Sequence, residues 1–310
     1  MARRTLSQAQ LTVVQAVRPH VTGPLVRVGC SGGADSMALV AAAAACRTEN
    51  TVVEAVVVDH GLLDNSADVA RNAVALCENL GVRSRVVKVD VVDRGRGLEA
   101  AAREARLACL AGERSGPVLL GHTLDDQAET VLLGLGRGSG PASLQAMAER
   151  RDVFVRPLLG VRRATTVQAC HDWQLPVWTD PMNSDLRFRR VRVRTQLVPI
   201  MEDVLGGGVV EALGRTAAML RADNHLLDEL ARTKATDDCA KLSELHPALR
   251  SRVLRSWLLR HGVPEPSFAH VGAVEQLVLG WHGQTGVDLP GGVRVTRSGG
   301  QLVAGATPAG

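Results

Sequence analysis

Tyrosine is absent from this chain, and aromatic residues make up only 2% of its 310 positions. A protein that reads RNA mainly by stacking bases on aromatic platforms needs more of them, so any nucleic-acid contact here must rest on phosphates and shape. The six cysteines, Cys30, Cys46, Cys77, Cys109, Cys170 and Cys239, include no C-x-x-C pair, which argues against a zinc site or a dithiol centre. Most of them read as small, buried, reduced side chains. No apolar run approaches the roughly 18 residues that span a bilayer. The opening Met1-Ala2-Arg3-Arg4-Thr5-Leu6 lacks the apolar core of a secretory signal. The expectation is a cytoplasmic protein with no membrane partner.

What is present is ordinary for a globular chain, with 45% hydrophobic and 22% charged residues, and the length suggests two domains. The net charge of +4 is modest but unevenly spread, because Arg187, Arg189, Arg190, Arg192 and Arg194 fall within eight positions beside a single acid, Asp185. Guanidinium forks pair bidentately with phosphates, so such a run suits a polyanion. Alternation puts several of these arginines on one side whether the segment is a strand or the start of a helix. A GC-rich genome would also enrich arginine and alanine.

The strongest local signal lies near the start. The apolar run Leu25 to Val28 leads into Gly29-Cys30-Ser31-Gly32-Gly33-Ala34-Asp35-Ser36, and helix formers follow from Met37 to Ala45. This reads as strand, glycine loop, helix. Gly32 and Gly33 let the backbone approach a ligand, Ser31 and Ser36 offer hydroxyls, and the N–H groups opening the helix favour an anion. Asp35 would repel a bare phosphate, so a nucleotide carrying magnesium fits best. No Gly-Lys-Ser/Thr follows, and γ-phosphate transfer is not implied.

Further along, strands and helices alternate as in a parallel sheet. The pattern predicts a helix over residues 9–18, a strand buried on both faces over 52–58, a helix over 65–80, a strand over 83–91, a helix over 99–111 and a short strand over 117–120. Ligands bind beyond the carboxyl ends of such strands, so stretches 31–36, 59–62, 103–106 and 122–130 are expected at one crevice. Asp126 and Glu129, spaced i,i+3, share a helix face. The pair could hold an ammonium group or ligate magnesium. His122 could accept a proton or touch a nucleotide, though a histidine at a strand end is as often structural. Arg103 and Arg106 would ordinarily pair with Glu99 or Glu104. A phosphate role requires their face to meet the crevice.

Residues 134–140 read as a glycine-rich loop, 154–159 as an edge strand, 165–174 as a helix, and Trp178 to Asn183 as a turn. Beyond Gly206 to Gly208 the pattern turns helical, with amphipathic stretches at 210–234, 247–260 and 267–279, and 287–303 reads as a small hairpin. The expected fold class is α/β: a Rossmann-like parallel-sheet domain over residues 1–205 and a smaller, mainly helical domain over 206–310.

Ser31-Gly32-Gly33-Ala34-Asp35-Ser36 resembles the PP-loop, the SGGxDS signature of N-type ATP pyrophosphatases, which cleave ATP to AMP and pyrophosphate. Four later blocks narrow the resemblance to tRNA(Ile)-lysidine synthetases: Val58-Asp59-His60-Gly61-Leu62, Arg103-Glu104-Ala105-Arg106, Gly121 to Thr130 (family pattern GHHxDDQxET) and Asp180 to Arg194 (family pattern DPxNxDxRFxR leading to RxRxR). The match runs through most of residues 25–200. The chain departs from the pattern at Thr123, often a second histidine, and at Val191, often asparagine. The expectation from the resemblance is that a further C-terminal domain of longer members is missing.

The resemblance implies ligation of L-lysine to the wobble cytidine of a CAU-anticodon isoleucine tRNA, with ATP and Mg²⁺, through an adenylated base. It implies that Ser31, Gly32, Gly33, Ala34 and Ser36 cradle pyrophosphate, that Asp35 holds magnesium, and that Asp59, His60 and His122 lie on the nucleotide side. Asp126 and Glu129 would hold or orient lysine. Arg103 and one of Arg190, Arg192 or Arg194 would neutralise phosphate or the lysine carboxylate, and that arginine run would meet tRNA. Members of the family often form homodimers. The rivals are another PP-loop enzyme, such as a tRNA thiolase or an ammonia-using synthetase, and a nucleotide-sensing RNA-binding protein without catalysis. The scattered cysteines disfavour the thiolase, the arginine run is purposeless in an ammonia-using synthetase, and the intact carboxylates disfavour the non-catalytic reading.

Overall fold

The fold was taken from a computed structural model, which describes residues 5–61, 65–92, 95, 97–112, 116–137 and 140–307. By packing the chain divides into two units, residues 1–133 with 147–215 and residues 134–146 with 216–310.

In the first unit α1 (Gln8–Val17) begins at a capping box, in which the Ser7 hydroxyl accepts from the Gln10 N–H and the Gln10 side chain answers on the Ser7 N–H. There follow β1 (Leu25–Cys30), α2 (Ala34–Cys46), β2 (Val52–Asp59), α3 (Ser66–Asn79), β3 (Arg83–Lys88), α4 (Leu98–Ala111), β4 (Val118–Leu120), α5 (Leu124–Leu135) and, in the second unit, α6 (Pro141–Leu144). Back in the first unit come β5 (Arg150–Arg151), β6 (Phe154–Val155), α7 (Arg163–Asp172), α8 (Arg189–Arg192), a π-helical turn over Val193–Leu197 and α9 (Val198–Leu205). The sheet order is β3-β2-β1-β4-β6-β5, parallel throughout except for the last pair.

The β-branched run of β2 pairs with β1 on one side and β3 on the other, which is why it is apolar on both faces. One face carries a core built from α1, α2, α3 and α7, including Val13, Met37, Leu39, Cys77 and Cys170. A smaller cluster of Val56, Leu110, Val118 and Leu120 includes the α4 side chain Leu110. The central strands β1, β2 and β4 are therefore buried on both faces, as crossover connections require.

Three local expectations are corrected. The segment 154–159 is not an edge strand: only Phe154–Val155 pairs, β5 lies outside it, and Pro157 has no N–H to extend the ladder. Gly134 belongs to α5, not to a loop. Strand β3 ends at Lys88, short of residue 91.

Helix α10 (Val209–Thr233) begins after the glycine run, and the division between units falls within it, after Arg215. The second unit continues with α11 (Cys239–Glu244), α12 (Pro247–Arg260) and α13 (Phe268–Leu279). The expected terminal hairpin is a three-stranded antiparallel sheet, β7 (Val287–Leu289), β8 (Val293–Ser298) and β9 (Gln301–Ala306), in that order. Its core holds Leu242, Leu254, Trp257, Leu277 and Val295. No helix among the described residues is long and apolar enough to cross a membrane.

Candidate active site

Strand β1 delivers Ser31 to a loop that Gly32 turns with a left-handed φ of +81°, a conformation costly for any residue with a Cβ. Gly33 caps α2 with extended backbone and no side chain on the helix's first N–H groups, which leaves donors for an anion. The Ser36 hydroxyl accepts from the Ser31 N–H at 3.1 Å, donates to the Gly33 carbonyl at 2.9 Å and lies 3.2 Å from the Ser31 hydroxyl. The Trp178 N–H donates to the Gly32 carbonyl at 3.1 Å. At the end of β4, a Cβ on Gly121 would lie 3.0 Å from the Asp35 carbonyl carbon. Only glycine lets that strand end approach the first turn of α2 so closely, and this approach brings α5 to Asp35.

A cleft of about 680 Å³ opens over the loop. All four expected stretches reach it, represented by Ser31, Asp35, Asp59, Arg103, His122 and Asp126. His60 and Arg106 also line it, so the α4 face bearing both arginines does meet the crevice. The expected Glu99 partner, like Leu62 of the second block, lies outside the described side chains. The turn at 178–183 contributes to the wall too, through Trp178, Asp180 and Asn183.

The charged groups fall into two sets. Arg103 and Arg106 form a cationic pair suited to phosphate, and His60 and His122 stand beside them as imidazoles that could meet the base. Burial and the neighbouring Arg103 push the Arg106 guanidinium down to about 10. Burial, with Arg106 nearby, also lowers His60. The Asp59 carboxyl is held below its ordinary value mainly by the Gly61 N–H, which donates to it at 3.0 Å.

Burial, reinforced by Arg103, Arg106 and Arg156 against the pull of Asp126, lowers His122 to about 3 from an ordinary 6.5. His122 is therefore a neutral acceptor or donor at physiological pH. Between pH 6.5 and 3 the unfolded chain binds a proton at this position that the native chain does not, so stability is lost as pH falls through that window. His122 is only half-buried, and after discounting for solvent screening its share between pH 7 and pH 5 is about 1 kcal/mol. His122→Gln is expected to lose less stability than the parent over that interval, as read from urea midpoints. Equal losses would rule out His122 as a buried neutral imidazole.

The anionic set is Asp35, Asp126 and Glu129, and it is bridged by a residue outside every expected block, Arg163. Arg163 Nε donates to Asp35 Oδ2 at 3.1 Å, Nη2 to Asp126 Oδ1 at 2.8 Å and Nη1 to Glu129 Oε1 at 3.1 Å. Its backbone N–H donates to Asp125 Oδ2 at 2.7 Å. Asp125 also pairs with Arg162 at 3.3 Å. Thr166 donates to the second oxygen of Asp35. Glu129 is 1% exposed, with Arg194 Nε at 3.2 Å and Arg190 Nη1 at 3.7 Å. Arg192 instead lies 3.5 Å from Gln196 on the exposed side of α8. The arginine run is thus a helix start, with Arg190 and Arg194 turned onto one carboxylate.

Burial raises Asp35, against the pull of Arg163 and Thr166. Burial and Asp126 raise Glu129, against Arg163, Arg194 and Arg190. For Asp126 burial again opposes the charge, but Arg163, the Thr123 N–H, His122 and the Thr123 hydroxyl outweigh it and hold the carboxyl below its ordinary value. Thr123 is fully buried, and both its donors meet Asp126 Oδ2, at 2.7 and 2.8 Å. The departure at position 123 therefore supplies a cap that orients Asp126.

Among the described residues no three His, Cys, Asp or Glu side chains gather as a metal cage. Asp35, in the cleft beside the loop with 23% of its side chain exposed, suits Mg²⁺, which takes one or two carboxylates and completes its shell with substrate phosphates and water.

The chain matches the family model for the PP-loop domain over residues 5–201 and that for the TilS substrate binding domain over residues 238–303. It is 50% identical over 294 residues to the tRNA(Ile)-lysidine synthase of Mycolicibacterium paratuberculosis, covering 90% of each chain. Against that of Nocardia farcinica it is 51% identical over 284 residues, covering 88% of each. The chain belongs to the tRNA(Ile)-lysidine synthase family. As a family member it carries the PP-loop at residues 31–36 with every position of the signature filled. Among solved structures it is similar to the U34-tRNA thiolase NcsA from Methanococcus maripaludis, with TM-score 0.58 and 18% identity, covering 68% of this chain and 79% of that one. That likeness concerns the fold.

Sequence patterns pointed to the loop, the α5 acids, the α4 arginines and the block beginning at Asp180, whereas Arg163 and Thr166 lie outside every pattern and Trp178 to Asn183 reads from sequence only as a turn. One signal for Arg163 was available. Two arginines at the first turn of a helix oppose its dipole and require acids from elsewhere in the fold.

Proposed function

We propose that this chain ligates L-lysine to the wobble cytidine of a CAU-anticodon isoleucine tRNA, consuming ATP and releasing AMP and pyrophosphate. The observation that carries the reading is the juxtaposition in one cleft of an uncapped PP-loop helix and the carboxylates Asp35 and Asp126, bridged by the Arg163 guanidinium, with Glu129 buried behind them on the same guanidinium. The first is a phosphate site, and the second is a site for a cationic side chain.

The residues divide accordingly. The loop N–H groups and hydroxyls of residues 31–36 receive the β- and γ-phosphates, and the α2 N-terminus stabilises the charge that develops as pyrophosphate leaves. Asp35 would hold Mg²⁺, which when bound neutralises the phosphates. Asp59 and His60 bind the adenosine, and Arg103 and Arg106 orient the α-phosphate. The cytosine carbonyl oxygen bonds to that phosphorus as the bond to pyrophosphate breaks. The amine of lysine, held by Asp126 and Glu129, then bonds to the activated ring carbon, AMP leaves with the oxygen, and one proton leaves the nitrogen. The free cysteines and a tRNA substrate support a cytoplasmic location for this reaction.

Incubation with ATP, labelled lysine and tRNA should transfer label only to the RNA bearing the CAU anticodon, with one AMP formed per lysine. AMP release without transfer, or transfer regardless of anticodon, would overturn the proposal.

A further inference from the structure

The three nitrogens of Arg163 each meet a different carboxylate: Asp35 from α2, and Asp126 and Glu129 from α5. Arg163 itself is anchored from α7, where its backbone N–H is held by Asp125. One side chain therefore ties the metal-binding carboxylate to the two carboxylates assigned to lysine. Its guanidinium occupies the place that the substrates' own cations would take. Burial favours its neutral form, but Asp126, Asp35 and Glu129 together hold it firmly charged, so it is a permanent competitor.

We propose that Arg163 is a positioning residue that couples the two substrate subsites, so that binding of magnesium and nucleotide at Asp35 raises the affinity for lysine at Asp126 and Glu129. The inference rests on the lysine-ligating reading above. In the ligand-free protein an incoming ammonium must displace a guanidinium that has three charged partners. Each such charge-assisted bond is strong in a partly buried site. Neutralising Asp35 removes one partner, and the triphosphate offers the guanidinium a new one within the same cleft. The remaining grip on Asp126 and Glu129 then weakens, and the ammonium competes on better terms. Reciprocity requires lysine to tighten nucleotide binding by the same factor.

Calorimetric titration of L-lysine into the full-length protein, with and without magnesium and α,β-methylene-ATP, which cannot be cleaved at the α-phosphate, reads the coupling directly. The parent is expected to bind lysine on the order of tenfold more tightly with the analogue present. In Arg163→Ala, lysine should bind as tightly without the analogue as the parent does with it, and the ratio should fall to about one. Arg163→Lys, a point charge unable to span three carboxylates, should reduce the ratio several-fold and serves if the alanine variant does not fold. Analogue binding by each variant reports an intact loop.

A ratio unchanged in the variants would mean that the nucleotide's own charge attracts lysine, and it would overturn the role of Arg163. Equal weakening with and without the analogue would mean a purely structural role and would overturn it too. A parent that binds lysine equally in both conditions refutes the coupling alone. A parent that binds no lysine under any condition refutes the lysine-ligating reading and this inference with it.

Discussion

Asp35→Asn should abolish AMP formation while leaving the fold intact. The carboxylate sits in the first turn of α2, with Arg163 on one oxygen and Thr166 on the other. An asparagine oxygen can still accept from one of them, so the local packing changes little. What disappears is the negative charge that would hold magnesium against the phosphates. Loss of one preorganised charge at a developing pyrophosphate costs at least about a hundredfold in rate. The loss at Asp35 should be larger, because no other carboxylate among the described residues lies within the loop itself. The effect on stability should be small. Burial already disfavours the charged form of Asp35, so neutralising it relieves part of that penalty, and Arg163 keeps Asp126 and Glu129 as partners. Quenched-flow measurement of AMP with tRNA and lysine present is the decisive assay, together with a urea midpoint close to the parent's. Activity within threefold of the parent would refute the metal role of Asp35.

The parts of this site that were legible in the sequence are those whose chemistry is local. Gly32, Gly33 and Asp35 announce a loop because backbone freedom, uncapped N–H groups and a carboxylate lie within six positions. The continuous β-branched run of β2 announces a strand covered on both sides. Arg163 was not legible because its three partners are 34 to 128 positions away in the chain, and only the approach of β4 to α2 at Gly121 brings them together. The arginine run was half legible. Its charge was plain, but periodicity over eight residues could not separate strand from helix. The helix that forms turns Arg190 and Arg194 onto Glu129 and leaves Arg192 outside. Strand β6 was misjudged because Pro157 ends its pairing after two residues while β5, too short to signal itself, takes the edge.

Glu129→Gln should separate the two halves of the reaction. Glu129 is 1% exposed and meets Arg163, Arg194 and Arg190 at 3.1, 3.2 and 3.7 Å. Removing one member of a buried ion pair typically costs 3–5 kcal/mol, that is, about 4, because the other charge is stranded. Two features reduce that cost here. Arg190 and Arg194 keep 34% and 28% of their side chains exposed and can turn to water, while Arg163 retains Asp35 and Asp126. A loss of about 2 kcal/mol is therefore expected, enough to lower the midpoint without unfolding the chain. The PP-loop, Asp35 and the α4 arginines remain, so the variant should still release pyrophosphate from ATP in the presence of tRNA and hold the adenylated base. Lysine transfer should fall by two orders of magnitude or more, roughly the weight of one charged contact made in the transition state. Labelled lysine and γ-labelled ATP followed through the first turnover give the ratio of pyrophosphate formed to lysine transferred, which should rise far above one in Glu129→Gln and stay near one in the parent. If both products fell together, as in Asp35→Asn, Glu129 would belong to the nucleotide half of the site, and the division of the cleft into a phosphate half and an ammonium half would be wrong.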